Sequence, residues 1–175
     1  MKSRFALKFL ATFTVIIPLW WAIDAGIHYR DALLTVAGWV SPLTGWWLQF
    51  DATGVPQFRR DAVTLPFYLD LATIAMGLMP LLSLIVATPF QSARRIATCL
   101  PAAVALYFVV DLGVVLTYPF VMDHPNLLKD TLGVFSGLVA FVVAPLGVWF
   151  LLTYPALNTI WQLGGPPDHQ IPRDT

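Results

Sequence analysis

The chain is 175 residues long, 58% hydrophobic and only 11% charged, with a mean hydropathy of +0.72. A soluble domain carries about 25% charged residues, so this composition cannot cover a globule with polar surface and points to an integral membrane protein. Ten Lys plus Arg balance ten Asp plus Glu, which gives no basic excess for nucleic acid, and a lone Cys99 excludes an internal disulfide.

A spanning helix needs roughly 20 mainly apolar residues, and four stretches qualify: about 5–27, 64–88, 96–118 and 132–155. The first follows Lys2 and Arg4 and contains Lys8 near its start. Ala25 has Ile23 two places before it, so the small-x-small pattern of a signal-peptide cleavage site is missing and an uncleaved anchor is expected. Residues 31–50, DALLTVAGWVSPLTGWWLQF, are also long enough to span. However, Gly38, Pro42 and Gly45 interrupt them, and Trp39, Trp46 and Trp47 crowd the second half. Trp favours the headgroup zone, and a broken helix in lipid leaves backbone groups unsatisfied. The segment is therefore read as a helix lying in the outer interface, with Trp39, Trp46 and Trp47 as anchors.

Next, FDATGVPQFRRDAVT has turn chemistry at Asp51 to Gly54 with alternation around it, which predicts a short extended hairpin in an outer loop, 28–63. Residues 158–175 are rich in Gly, Pro and polar side chains and are expected to form a flexible polar tail. The predicted fold is thus an all-α integral membrane protein, a four-helix transmembrane bundle in one domain over 1–157. With four spans, one side of the membrane holds Lys2, Arg4, Lys8, Arg94, Arg95 and Arg173, and the other holds Arg30, Arg59, Arg60 and Lys129. Positive charge collects inside, so both termini are expected in the cytoplasm. A five-span arrangement divides the charges equally well, and the Trp and Pro pattern decides against it.

This topology puts Asp24, Asp70 and Asp111, from three helices, in the outer third of the membrane. Asp111 interrupts the run YFVVDLGVVLTYP about 7 residues, or ~10 Å, below the end of its span. An unpaired buried carboxylate costs several kcal/mol. Arg30, Arg59, Arg60 and Lys129, with His28 or His124, are the candidate partners from the same side. Three uses remain open: ion pairs fastening the outer loops, a site for a polar group on a partner or substrate, and a proton or metal-ion site. No HxxxH or CxxC occurs, so no metal and no cofactor is expected. In the fourth span, GVFSG places Gly133 and Gly137 four apart, a spacing that lets helices approach closely, within the bundle or against another protein.

Catalytic patterns are missing: neither G-x-S-x-G nor HExxH occurs. Cys99 follows Arg94 and Arg95, a setting that can activate a thiol, but it is expected to be buried and inert.

The order of these features resembles small accessory membrane proteins associated with exosortases, particularly the exosortase H type. The resemblance is carried by the basic start, the WW-bearing first span, the Trp-rich segment and the hairpin. It continues through RRDAVTLPFYLDLATIAMGLMPLLSLIVATP and LYFVVDLGVVL, and covers most of residues 5–157. It implies a bacterial inner membrane and a role in sorting or maturing exported proteins. Exosortases carry a catalytic Cys followed by Ser or Thr and Gly, whereas Cys99 is followed by Leu100 and Pro101. That departure argues for an accessory subunit and against the enzyme. The sequence reading is a non-catalytic subunit whose partners are the lipid bilayer and other integral membrane proteins, an exosortase among them. A small proton- or ion-coupled transporter using Asp70 and Asp111, and an orphan subunit of a respiratory or photosynthetic complex, are its rivals.

Overall fold

A computed structural model describes residues 2–89, 91–123 and 126–161. It is 75% helical with one small three-stranded sheet, and three of its helices are long and apolar enough to cross a membrane. The described residues do not confirm the expected bundle of four full spans, and the departures are local and physical.

Helix α1 (Lys2–Ala22) is straight apolar sequence with Pro18 inside it. It ends earlier than residue 27 because Asp24 adopts the left-handed conformation, φ 48. Asp is one of the few residues that enter this region at modest cost. The chain then re-enters helix α2 (Ala25–Val40), which buries Gly26, Leu33, Leu34 and Ala37 along one stripe. The expected interfacial helix over 31–50 therefore starts earlier, packs onto other helices, and stops at Val40. A 3-10 turn, Ser41–Thr44, begins with Pro42 near its start and closes on Gly45 at φ 79.

The Trp-rich end of that segment is not helical. Trp47–Phe50 is strand β1, paired antiparallel with β2 (Pro56–Arg60), which pairs in turn with β3 (Val63–Pro66). The register aligns Leu48, Phe58 and Leu65 on the inner face, and Trp47, Arg59 and Thr64 on the outer. The expected hairpin is thus the first half of a meander. Its third strand takes residues expected in the second span, where Pro66 pushes the Leu65 before it into extended backbone. In the β1–β2 turn, Asp51 Oδ1 accepts from the backbone N–H groups of Thr53 and Val55, both at 2.8 Å, and from the Thr53 hydroxyl at 2.7 Å. Gly54 supplies the φ of 81 that the turn needs.

These bonds, the Thr53 hydroxyl first and then the Val55 amide, hold the Asp51 carboxyl below the usual range. A depressed folded value stabilises the turn above about pH 4, and that contribution disappears as pH falls through the depressed value. Asp51→Ala is accordingly expected to speed amide hydrogen exchange at Thr53 and Val55 while leaving the helices unchanged. Equal exchange in both proteins at neutral pH would contradict this.

The second expected span is replaced by two short helices, α3 (Leu71–Ala75) and α4 (Leu78–Ala87). Ten residues of α4 cover ~15 Å, half of a ~30 Å hydrocarbon core. Pro80 has no N–H to return to the Met76 carbonyl, which accepts from Met79 N at 3.1 Å instead. Helix α4 nevertheless lies deep: it packs on α1, on α5 (Ala93–Met122) and on α7 (Ala144–Trp161), and buries Leu78, Met79, Leu81, Ser83, Ile85 and Ala87. Ser92 caps α5 by accepting from Arg95 N. The fourth expected span is one continuous helical run, α6 (Leu127–Leu138), a π segment (Val139–Val143) and α7. That run continues to Trp161, so the expected tail begins inside a helix, and its residues from 162 lie outside the described ones.

Candidate functional site

Helix α5 organises the interior through one stripe. Cys99, Ala103, Tyr107, Asp111, Val115 and Pro119 are all buried and recur every four residues, the spacing of a single helical ridge. Two of them are polar, and each answers a defect in a neighbouring helix or holds one in place.

Tyr107 is fully buried, and its hydroxyl lies 2.9 Å from the Ile74 carbonyl oxygen and 3.0 Å from that of Ala140. Both acceptors exist because a helix has been interrupted. Ile74 sits where α3 gives way to α4. In the π segment the Ala144 N–H reaches back five residues to Val139, so the next carbonyl, that of Ala140, faces Pro145, which has no N–H. The Tyr107 proton is shared between these two acceptors and stitches α5 to both irregularities. Gly77 makes room for it: a Cβ there would collide with the Tyr107 hydroxyl.

Asp111, one turn further along, is completely enclosed. Its Oδ2 accepts from the Tyr29 hydroxyl of α2 at 2.7 Å, and its Oδ1 has no hydrogen-bond partner among the described residues. Tyr29 also packs against Tyr107, with ring centroids 6.5 Å apart, and edge-on against Phe108 at 5.6 Å. Among the described residues the partner of the buried acid is therefore a phenol, and none of Arg30, Arg59 and Arg60 reaches it.

Two of those cations are engaged elsewhere. Arg30 pairs with its neighbour Asp31 at 2.7 Å, both substantially exposed, an arrangement that water screens. Arg60 lies over the Trp46 ring, 5.2 Å from its centroid, and Arg59 is exposed on the outer face of β2. Lys129 belongs to α6, its side chain lying outside the described residues, as does His124.

Nor do the three carboxylates converge. Asp24 is exposed at the α1–α2 elbow and Asp70 is exposed just before α3. Among the described residues no group of three or more His, Cys, Asp or Glu is placed to hold a metal ion. Of the three tryptophans expected at the interface, Trp39 and Trp47 are exposed while Trp46 is fully buried. Sheet formation turns it inward beneath Arg60. Gly133 faces Val121 of α5, where a Cβ would make ordinary contact at 3.4 Å, and Gly137 meets open space. Cys99 is buried against α7, its thiol 3.9 Å from the Leu152 carbonyl.

Above this interior the sheet caps one end of α2 and α5. Phe58, Phe67 and Tyr118 form a cluster of three ring contacts, closest between Phe67 and Tyr118 at 4.7 Å. The Tyr118 hydroxyl donates to the Pro66 carbonyl at 3.0 Å. Between cap, α2 and α3 lies a groove of about 360 Å³. Arg30, Asp31 and Asp70 mark its charged rim, and Phe50, Phe67 and Tyr68 are among its apolar walls.

Tyr29 is the residue that the sequence reading missed. Its signal was present, since Tyr carries a hydroxyl that seeks a partner when its ring is buried, and the apolar stripe beginning at Gly26 passes beside it. No family model, curated protein or solved structure matches the chain.

Proposed function

We propose that the protein is a non-catalytic accessory subunit of a bacterial inner-membrane complex, with its termini on the cytoplasmic side. In this reading the cap groove receives a polar, extended segment of another integral membrane protein. The observation that carries it is the groove itself: both signs of charge stand at the rim of a partly aromatic cleft, a combination suited to a peptide segment with a charged and an apolar side chain. The interior supports the same division of labour, because Tyr107 and Tyr29 hold helices together and so keep α2, which carries Arg30 and Asp31, in place beside the cap. The resemblance to exosortase-associated proteins makes an exosortase the first partner to look for, and a bioenergetic complex the second.

The test is affinity purification of the tagged full chain from its native membrane in mild detergent. A stoichiometric membrane partner is expected, and its recovery should fall roughly tenfold, the effect of a ~1.4 kcal/mol contact, with Tyr68→Ala. Tyr68 is 79% exposed, and only its backbone N–H approaches Tyr118, so the variant should fold normally. Undiminished recovery would remove the groove from the interface. Purification of the chain alone would overturn the subunit reading.

A second reading, the small ion-coupled transporter, has one observation in its favour. The α3–α4 pair is a broken helix packed inside the bundle, the kind of element that transporters use to build ion sites.

A further inference from the structure

The buried polar centre has one loose end, the Oδ1 oxygen of Asp111. The residue is 0% exposed and sits on a helix long enough to span the membrane. One of its oxygens is held at 2.7 Å by Tyr29, while the other is enclosed with no partner among the described residues. Buried polar atoms are nearly always satisfied, and an exception in a folded protein calls for an explanation such as an unseen ligand or a functional role. Charged groups from the neighbouring elements do not supply one. Helix α2 brings the neutral Tyr29 to the carboxyl, while its His28 is exposed and its Arg30 and Asp31 bind each other at the surface. Helix α5 itself contributes Tyr107 and Phe108. The carbonyls of Ile74 and Ala140, from α3 and the π segment, are occupied by Tyr107. Asp70, just before α3, stands at the groove.

We propose that Asp111 is a proton-binding site of the protein, exchanging one proton at Oδ1 while Tyr29 holds Oδ2. Uptake forms a single O–H bond and removes the negative charge, and release returns the proton to water with no other covalent change. A fully enclosed carboxyl suits a bare proton and not a hydrated ion. Tyr29 is only half-buried, so the surface of α2 lies one side chain away, and transient displacement of its ring lets water reach the carboxyl for exchange.

The state of the site has a structural consequence. An ionised carboxylate seeks a second donor, and the nearest hydroxyl on its own helix is that of Tyr107, one turn away. Drawing that proton towards Asp111 would release the Ala140 carbonyl and leave that of Ile74 to the Gly77 N–H alone, and so loosen the π segment and the tie of α5 to the α3–α4 break. Both irregularities are of the kinds that recur at functional sites in helices.

The experiment is infrared spectroscopy of the full chain reconstituted in lipid, titrated from about pH 4 to about pH 10, a range that covers the excursions of buried carboxyls. The expected result is a protonated-carboxyl carbonyl band that disappears reversibly on raising pH and is missing in Asp111→Asn. Tyr29→Phe retains the carboxyl and should shift the same band, because one hydrogen bond to it is lost. This second variant decides the matter if Asp111→Asn does not fold. A band that persists across the whole range would identify a permanently neutral structural acid, and no band at any pH a permanently charged one. Either overturns the proposal. The measurement uses isolated protein, so it succeeds or fails independently of any partner in the cap groove.

Discussion

Replacing Gly77 by Ala should destabilise the fold by about 3 kcal/mol, the sum expected from overpacking a rigid site and disturbing a buried hydrogen bond. A Cβ at position 77 would occupy the place of the Tyr107 hydroxyl. The obstruction cannot be relieved by a swinging side-chain end, because the hydroxyl is fixed by the carbonyls of Ile74 and Ala140. The ring would have to withdraw and leave both acceptors buried. Chemical denaturation in mixed micelles, comparing Gly77→Ala with the parent, measures the effect. Tyr107→Phe sharpens the test: it carries its own penalty for the orphaned Ala140 carbonyl, but in that background Gly77→Ala should cost clearly less than in the parent, because the Cβ then meets only the ring end, at 3.0 Å. A coupling energy near zero between the two positions would show that the close approach is not what Gly77 provides.

The second large effect concerns Tyr29. Tyr29→Phe removes the one hydrogen bond to Asp111 and leaves a buried carboxyl with neither oxygen partnered. The expected loss is about 1–3 kcal/mol, the cost of stranding a buried polar group. Removing the acid as well should recover much of this, since two apolar groups of suitable shape can replace a hydrogen-bonded pair at little cost. Tyr29→Phe combined with Asp111→Leu is therefore expected to be more stable than Tyr29→Phe alone. Micellar unfolding midpoints of the three proteins decide it. A double variant less stable than the single one would mean that Asp111 has a stabilising partner other than Tyr29.

Those two positions show where reading along the chain stops. The elements whose signal is local were legible: the long apolar runs of α1, α5 and the α6–α7 continuation, and the Asp51–Gly54 turn. The run from 64 to 88 misled because hydropathy registers composition and not hydrogen bonding. Val63–Pro66 is as apolar as a helix entry, yet it pairs with β2, and Pro80 and Gly77 divide what remains. Trp46 misled for a related reason. Its preference for the interface is a statistical property of the side chain, whereas its place in β-sheet parity, one residue before Trp47, turns it inward.

Length, hydropathy and charge by themselves determined that this chain is compatible with a membrane, where its long helices lie, and that α5 carries a carboxyl in an apolar stretch. These follow from short-range chemistry and the transfer energy of each residue. Only the tertiary structure decided what that carboxyl meets. Tyr29 meets Asp111 from 82 positions away, and Tyr107 finds two carbonyls, of Ala140 and Ile74, left accessible where the π segment before Pro145 and the α3–α4 break have altered their own helices. Such partners are chosen by how helices pack. A lone sequence records the need of a buried polar group but not the group that meets it.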